Sequence, residues 1–163
     1  MYSFGTDEYI AQAVQAHSAS MLRAAYSVLH CAADAEDAAQ EAFVRLITKA
    51  PRLRDEEHQR AWLLRVTINI ARNMRRARSR ECGPPSEDIP SPTRSDGDML
   101  ALVTSLPERY STVIHLYYYE GFSIKDIARI LNMPSATVGT RLARGRSLLR
   151  AMMEGEDTDE QNE

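Results

Sequence analysis

The sequence predicts an all-α protein made of two small helical domains joined by a flexible linker, and three observations predict it. Apolar residues recur at three- and four-residue spacing along most of the chain, with no sustained strand alternation and no internal repeat. The composition breaks once, over residues 80–97, where Gly83, Pro84, Pro85, Pro90, Pro92 and Gly97 sit among Ser, Asp and Glu. That mixture buries too little apolar surface to offset the entropy lost on ordering. Finally, 163 residues at 44% hydrophobic content suffice for one ordinary core or two small ones.

Tyr9, Ile10, Ala13, Val14, Met21, Leu22, Ala25, Val28 and Leu29 predict a long first helix ending near His30. A second follows at once: Asp34 is placed to cap it, Ala38, Ala39, Ala42, Phe43, Leu46 and Ile47 form its apolar stripe, and Pro51 closes it. A polar loop over 51–58 leads to a third helix carrying Trp62, Leu63, Val66, Ile70 and Met74, and these three helices can share one core. Beyond the linker, Met99, Leu100, Leu102, Val103 and Leu106 open a second helical set. Pro107 suits the first turn of a helix running through Val113, Ile114, Leu116 and Tyr117, with Gly121 as its C-terminal cap.

Phe122 to Arg150 then reads as two helices joined by a tight turn. Ser123 and Asp126 form a capping box, and Ile124, Ile127, Ala128 and Leu131 make an apolar stripe. Asn132 suits the left-handed helix end, Pro134 cannot continue a helix, and Ser135 is placed to cap the next one. On that last helix Val138, Leu142 and Leu149 face a core, while Thr137, Thr140, Arg141 and Arg144 lie on another side. This is the outline of a helix-turn-helix reader of duplex DNA.

The net charge of −3 does not itself favour a nucleic-acid partner, but the charge is segregated. Seven arginines and no acid occur between Arg60 and Arg80, four arginines and no acid between Ser135 and Arg150, and six acids and no base between Glu154 and Glu163. The basic stretches suit phosphates, and the acidic end reads as a disordered tail. Cys31 and Cys82 lie far apart without further ligands, so no disulfide framework or metal site is indicated, and free thiols are expected. His17, His30, His58 and His115 are scattered, and there is neither a Glu-x-x-His pair nor a phosphate-cradling glycine loop. No enzyme activity, cofactor or metal is therefore expected. No apolar run approaches the roughly 20 residues of a membrane span, and the N-terminus has no signal-peptide pattern, so a cytoplasmic protein without membrane insertion is expected.

With the motifs placed, the chain resembles the extracytoplasmic-function (ECF) sigma factors of the sigma-70 family. DAEDAAQEAFVRL (34–46) is similar to the family's region 2.2, AWLLRVTINIARNMRRAR (61–78) to regions 2.3 and 2.4, and 106–146 to region 4. The resemblance implies region 2 over 1–79, the linker over 80–97, region 4 over 98–153 and the tail over 154–163. It implies a promoter-specificity subunit that binds core RNA polymerase through the largest-subunit clamp coiled coil and the flap region. Promoter DNA is the other partner, and an anti-sigma factor is expected to control the protein.

By the same resemblance Asp37, Gln40 and Glu41 would contact polymerase. Arg52, Arg54 and His58 of the loop, with Trp62, Arg65, Asn69, Arg72, Asn73, Arg75 and Arg76 of the third helix, would contact the −10 element. Ser135, Thr137, Thr140, Arg141, Arg144 and Arg146 would contact the −35 element. Gly139 departs from the family, which often has Lys there, and Asn73 stands where the family often has Asp. The alternative is a stand-alone helix-turn-helix regulator, which accounts for 98–153 but leaves the acidic face of 34–41 and the basic helix of 60–80 without a role.

Overall fold

The computed structural model describes residues 7–82 and 98–160, and among these it holds seven α-helices and no strand. The chain divides into two compact units, one containing the first three helices and the other the last four. Most of the expected linker lies outside the described residues. The Arg-rich helix runs on through Cys82, past the expected boundary at 79.

Unit 1 is a bundle of α1 (Asp7–Leu29), α2 (Ala32–Lys49) and α3 (Glu56–Cys82), each packed on the other two. Met21, Val28, Leu46, Leu63, Leu64 and Ile68 are fully buried, and small residues at Ala24, Ala25, Ala38 and Ala42 let the helices approach closely. One buried polar chain crosses the core. Gln59 donates to the Tyr9 hydroxyl at 2.7 Å, and its carbonyl lies 3.1 Å from His17 Nε2, so α3 is tied to α1 at two points.

The helix ends follow backbone chemistry. α1 stops at His30 (φ 53°) and α2 at Ala50 (φ 41°), both in the left-handed region, with Pro51 preventing continuation. α3 begins where the Asp55 carboxylate accepts the His58 N–H at 2.8 Å. Three expectations are corrected here. Asp34 does not cap α2, which starts at Ala32 after Cys31; instead Asp34 pairs with Arg78 of α3. The loop ends at Asp55, so His58 belongs to the first turn of α3. Ile47 lies on the outer edge of the α2 stripe and is exposed rather than in the core.

Unit 2 comprises α4 (Asp98–Ser105), α5 (Glu108–Ile114), a π-helical turn (His115–Tyr119), α6 (Ile124–Leu131) and α7 (Ser135–Glu160). Val103, Val113, Ile114, Leu116, Ile127, Val138 and Leu142 form its core. The Ser123 hydroxyl accepts the Asp126 N–H at 3.1 Å, and Asn132 (φ 52°) ends α6, as expected. Ile124 is partly exposed, and Ile130 is buried in its place. The α6–α7 turn uses Pro134, whose carbonyl accepts from Thr137 and Val138, so Ser135 sits inside the first turn and is not its cap. α7 continues past Met153 through Glu160, so the segment read as a disordered tail begins helical; extending an existing helix adds one hydrogen bond per residue ordered.

Candidate nucleic-acid and polymerase interfaces

On α2 the core side is Ala35, Ala38, Ala39, Ala42 and Leu46. At about 100° per residue, Asp37, Gln40, Glu41 and Val44 fall on the opposite side, all exposed. Glu41 has Arg45 3.4 Å away, a surface pair of small energetic weight. Val44 and Ile47 add two exposed apolar groups beside the three polar ones, and sequence reading had assigned them no contact role. The result is a helix face that mixes two carboxylates and an amide with two exposed apolar groups, suited to a basic amphipathic helix.

On α3, Leu63, Leu64, Thr67, Ile68 and Ala71 face the core. Trp62, Arg65, Asn69, Arg72, Asn73 and Arg76 fall within an arc of about 100° on the other side, free of carboxylates. Arg65, Asn69, Asn73 and Arg76 are exposed, and Trp62 and Arg72 half-buried. Arg76 reaches Asn73 Oδ1 at 3.4 Å, which holds both heads on the same face. Trp62 is only half-buried, which leaves part of the indole available for stacking. Arg75 is turned away, towards α1. Burial first, and the Arg75 charge second, lower the pKa of His30 below its ordinary 6.5, against a hydrogen bond to Ser27 that raises it.

In the loop that precedes α3, Arg52 and Arg54 are exposed. His58 Nδ1 accepts the Arg54 backbone N–H at 3.1 Å, so its ring shapes the loop and only its remaining edge is available to a ligand.

In unit 2 the first turns of α7 and the start of α5 enclose an open cleft of about 460 Å³. Arg109, Tyr110, Ala136, Thr137, Thr140, Arg141 and Arg144 line it. Arg109 lies over the Tyr110 ring, 4.9 Å from its centre. Arg109 and then Arg144 draw the Tyr110 hydroxyl below its ordinary pKa of 10 by hydrogen bonding and charge, against the opposing effect of burial. Three guanidiniums around two hydroxyl-bearing threonines make an anion cradle, with groups that suit phosphate and base edges.

Arg109 and Tyr110 were missed in the sequence because they stand on another helix, about 30 residues upstream; an Arg just after a helix-starting Pro was the only available signal. Of the expected −35 set, Thr137, Thr140, Arg141 and Arg144 share this cleft, whereas Ser135 lines a separate shallow depression with Lys125, Arg129, Asn132 and Pro134. Arg146 does not join them. It lies about 160° around α7 from Arg144, and its Nη1 donates to the Tyr118 hydroxyl at 3.0 Å. Gly139 is on the Arg146 flank, and a Cβ there would meet nothing within 4 Å. Gly145 differs: a Cβ would overlap Ile114 Cδ1, so this glycine is what lets α7 lie against α5.

Among the described residues no group of His, Cys, Asp and Glu could hold a metal ion, and no helix is long and apolar enough to cross a membrane. Cys31 is a free, half-buried thiol; the Cys82 side chain lies outside what is described.

Comparison with known proteins matches the two units separately. The sigma-70 region 2 family covers residues 13–81, and the sigma-70 region 4 family covers residues 97–149. RNA polymerase sigma-H factor of Pseudomonas aeruginosa is 31% identical over 144 residues, 74% of each chain. The ECF RNA polymerase sigma-E factor of Haemophilus influenzae is 30% identical over 139 residues, covering 71% of this chain and 72% of that one. In fold, the chain resembles the sigma factor RpoE of Bartonella quintana, solved with the anti-sigma factor NepR. The TM-score is 0.74 at 22% identity, over 88% of this chain and 96% of that one. Two helical units carrying a carboxylate-and-amide face, an acid-free arginine face and an arginine-lined helix-turn-helix, matched in order by both family regions, place the chain in the sigma-70 family as an ECF RNA polymerase sigma factor.

Proposed function

We propose that unit 1 binds core polymerase and opens the −10 element, and that unit 2 reads the −35 element. We assign the first role to 1–79 and the second to 98–153, with 80–97 joining them. Asp37, Gln40 and Glu41, flanked by Val44 and Ile47, dock on the clamp coiled coil of the largest subunit, and region 4 also meets the flap. Arg65, Arg72 and Arg76 hold phosphates of the displaced strand, Asn69 and Asn73 offer amides to base edges, and Trp62 supports an unstacked base. Arg52, Arg54 and the free edge of His58 line the pocket for a flipped base. Selecting the right base there recovers the few kcal/mol that unstacking costs.

On the −35 element, Arg109, Arg141 and Arg144 grip the backbone while Thr137 and Thr140 enter the major groove. The protein acts as a cytoplasmic specificity subunit and not as a catalyst. Control by an anti-sigma factor belongs to the same reading, because covering the two DNA faces would silence both.

The observation that carries the proposal is the opposition, within unit 1, of a packed core and two exposed faces of different chemistry on α2 and α3. Sedimentation of the full chain with purified core polymerase tests it. The wild type should co-sediment, and Asp37→Ala with Glu41→Ala should weaken this about tenfold, or ~1.4 kcal/mol. A chain that ignores core but shifts duplex DNA alone would favour the stand-alone regulator.

A further inference from the structure

His115 and Glu120 are buried polar residues of unit 2, each side chain 2% exposed, with Nε2 3.2 Å from Oε1. In a regular α-helix residues five apart lie about 140° apart around the axis, and such a pair could not meet. It meets because the helix widens at this point. The Glu120 N–H donates to the His115 carbonyl at 3.1 Å, the Phe122 N–H to the Leu116 carbonyl at 3.0 Å, and Gly121 takes φ 73°. Tyr119 stacks on the imidazole, with ring centres 5.6 Å apart. Single π-turns are rare overall and are frequent at functional sites.

What this turn aims is Tyr118. Three consecutive tyrosines, Tyr117, Tyr118 and Tyr119, are exposed at 36%, 52% and 40%, and the Tyr118 hydroxyl accepts from Arg146. Arg146 is on the flank of α7 opposite Arg144. A helix seated in a major groove about 12 Å wide has a phosphate strand along each flank. The Arg109–Arg144 cleft serves one strand. On the other flank Gly139 offers no side chain, and Arg146 is the next cation.

Resting on the sigma-factor reading, we propose that His115 and Glu120 are a positioning pair. They hold the π-turn so that Tyr118 fixes Arg146 against a backbone phosphate of the strand that Arg144 does not grip. The hydrogen bond confines a long side chain that would otherwise lose its rotamer freedom on binding.

The test is a set of Arg146→Ala effects measured in holoenzyme reconstituted from the full chain. The probe is a labelled duplex bearing the −35 element mapped by run-off transcription. Arg146→Ala should weaken binding about five-fold in the wild type and in Glu120→Gln, whose carbonyl still accepts from His115. In Glu120→Ala and Tyr118→Phe the same change should cost less than about two-fold, because Arg146 is already released. An undiminished Arg146→Ala effect in both backgrounds would overturn the proposal, since a purely structural role for the pair would leave it unchanged. If Glu120→Ala does not fold, His115→Gln, which takes the ring out of the pair, replaces it in the same cycle, with the same diminished Arg146→Ala effect expected and an undiminished one overturning the proposal.

Should the wild-type holoenzyme bind no duplex, the sigma-factor reading fails first, and hydrogen exchange of the free chain then tests the pair alone. The Glu120 and Phe122 amides should be protected in the wild type and Glu120→Gln, and about tenfold less so in Glu120→Ala. Equal protection in all three would refute the latch.

Discussion

Two glycines of α7 give opposite predictions for the same chemical change. Glycine inside a helix costs about 1 kcal/mol relative to alanine, because the unfolded chain loses more freedom on folding. At Gly139 a new Cβ meets nothing within 4 Å, so Gly139→Ala should recover most of that cost, about 0.5–1 kcal/mol. For a unit of this size that raises its melting temperature by roughly 2–8 °C. At Gly145 the same gain is opposed by overlap with Ile114 Cδ1, with Cγ1 at 3.2 Å and Tyr110 Cβ at 3.5 Å, and Ile114 is only 1% exposed. Overpacking a filled core costs about 1–3 kcal/mol, so Gly145→Ala should be neutral to destabilising, by up to about 2 kcal/mol.

The assay is thermal and urea unfolding of the full chain, followed by far-UV circular dichroism for both units. Fluorescence of Trp62, the only tryptophan, reports unit 1. Both variants should leave the tryptophan transition in place and move the other in the order Gly139→Ala above wild type, Gly145→Ala at or below it. If Gly145→Ala stabilised as much as Gly139→Ala, the close approach of α5 and α7 would be wrong.

Three further outcomes follow from individual contacts. Gln59→Leu removes the side-chain partner of the buried His17 ring and one partner of the Tyr9 hydroxyl, and should destabilise unit 1 by about 1–3 kcal/mol, seen as an earlier Trp62 transition. Arg109→Gln removes one cation from the α7 cleft, and should lower the slope of log affinity against log salt for −35 duplex by about 0.9 with little loss of sequence preference. His30 should titrate below 6.5 by NMR, and Arg75→Gln should raise its midpoint only part of the way, because burial is the larger cause. Since folding disfavours the protonated ring, the His30 contribution to stability is complete above pH 6.5. It is lost as pH falls from there through the folded midpoint; stability rising with acidification would contradict the sign.

Periodicity and terminators located every long helix, because Pro51, Asn132 and Pro134 stop helices by backbone geometry that a single residue dictates. The Ser123 cap was equally legible. The π-turn was not. It depends on a contact between His115 and Glu120 that only a widened helix permits, and no local propensity encodes it. Asp34 reads locally as a cap, but the distant Arg78 competes for its carboxylate. Ile47 matches the α2 stripe in sequence, yet its angle around the helix leaves it just outside the core. The α3 face was readable as a set because its members repeat on one side of a single helix. The α7 cleft was half readable, since Arg109 and Tyr110 reach it from α5, while the helical spacing already set Arg146 on another flank of α7, where it bonds the Tyr118 hydroxyl.

The most direct test is run-off transcription with purified core polymerase on fragmented genomic DNA of the source organism, with and without the full chain. New transcripts should start downstream of a shared pair of −10 and −35 elements, and should vanish with Asp37→Ala plus Glu41→Ala although that variant folds normally. Core and protein that together start no transcript, while the protein alone binds duplex DNA, would contradict promoter-directed initiation.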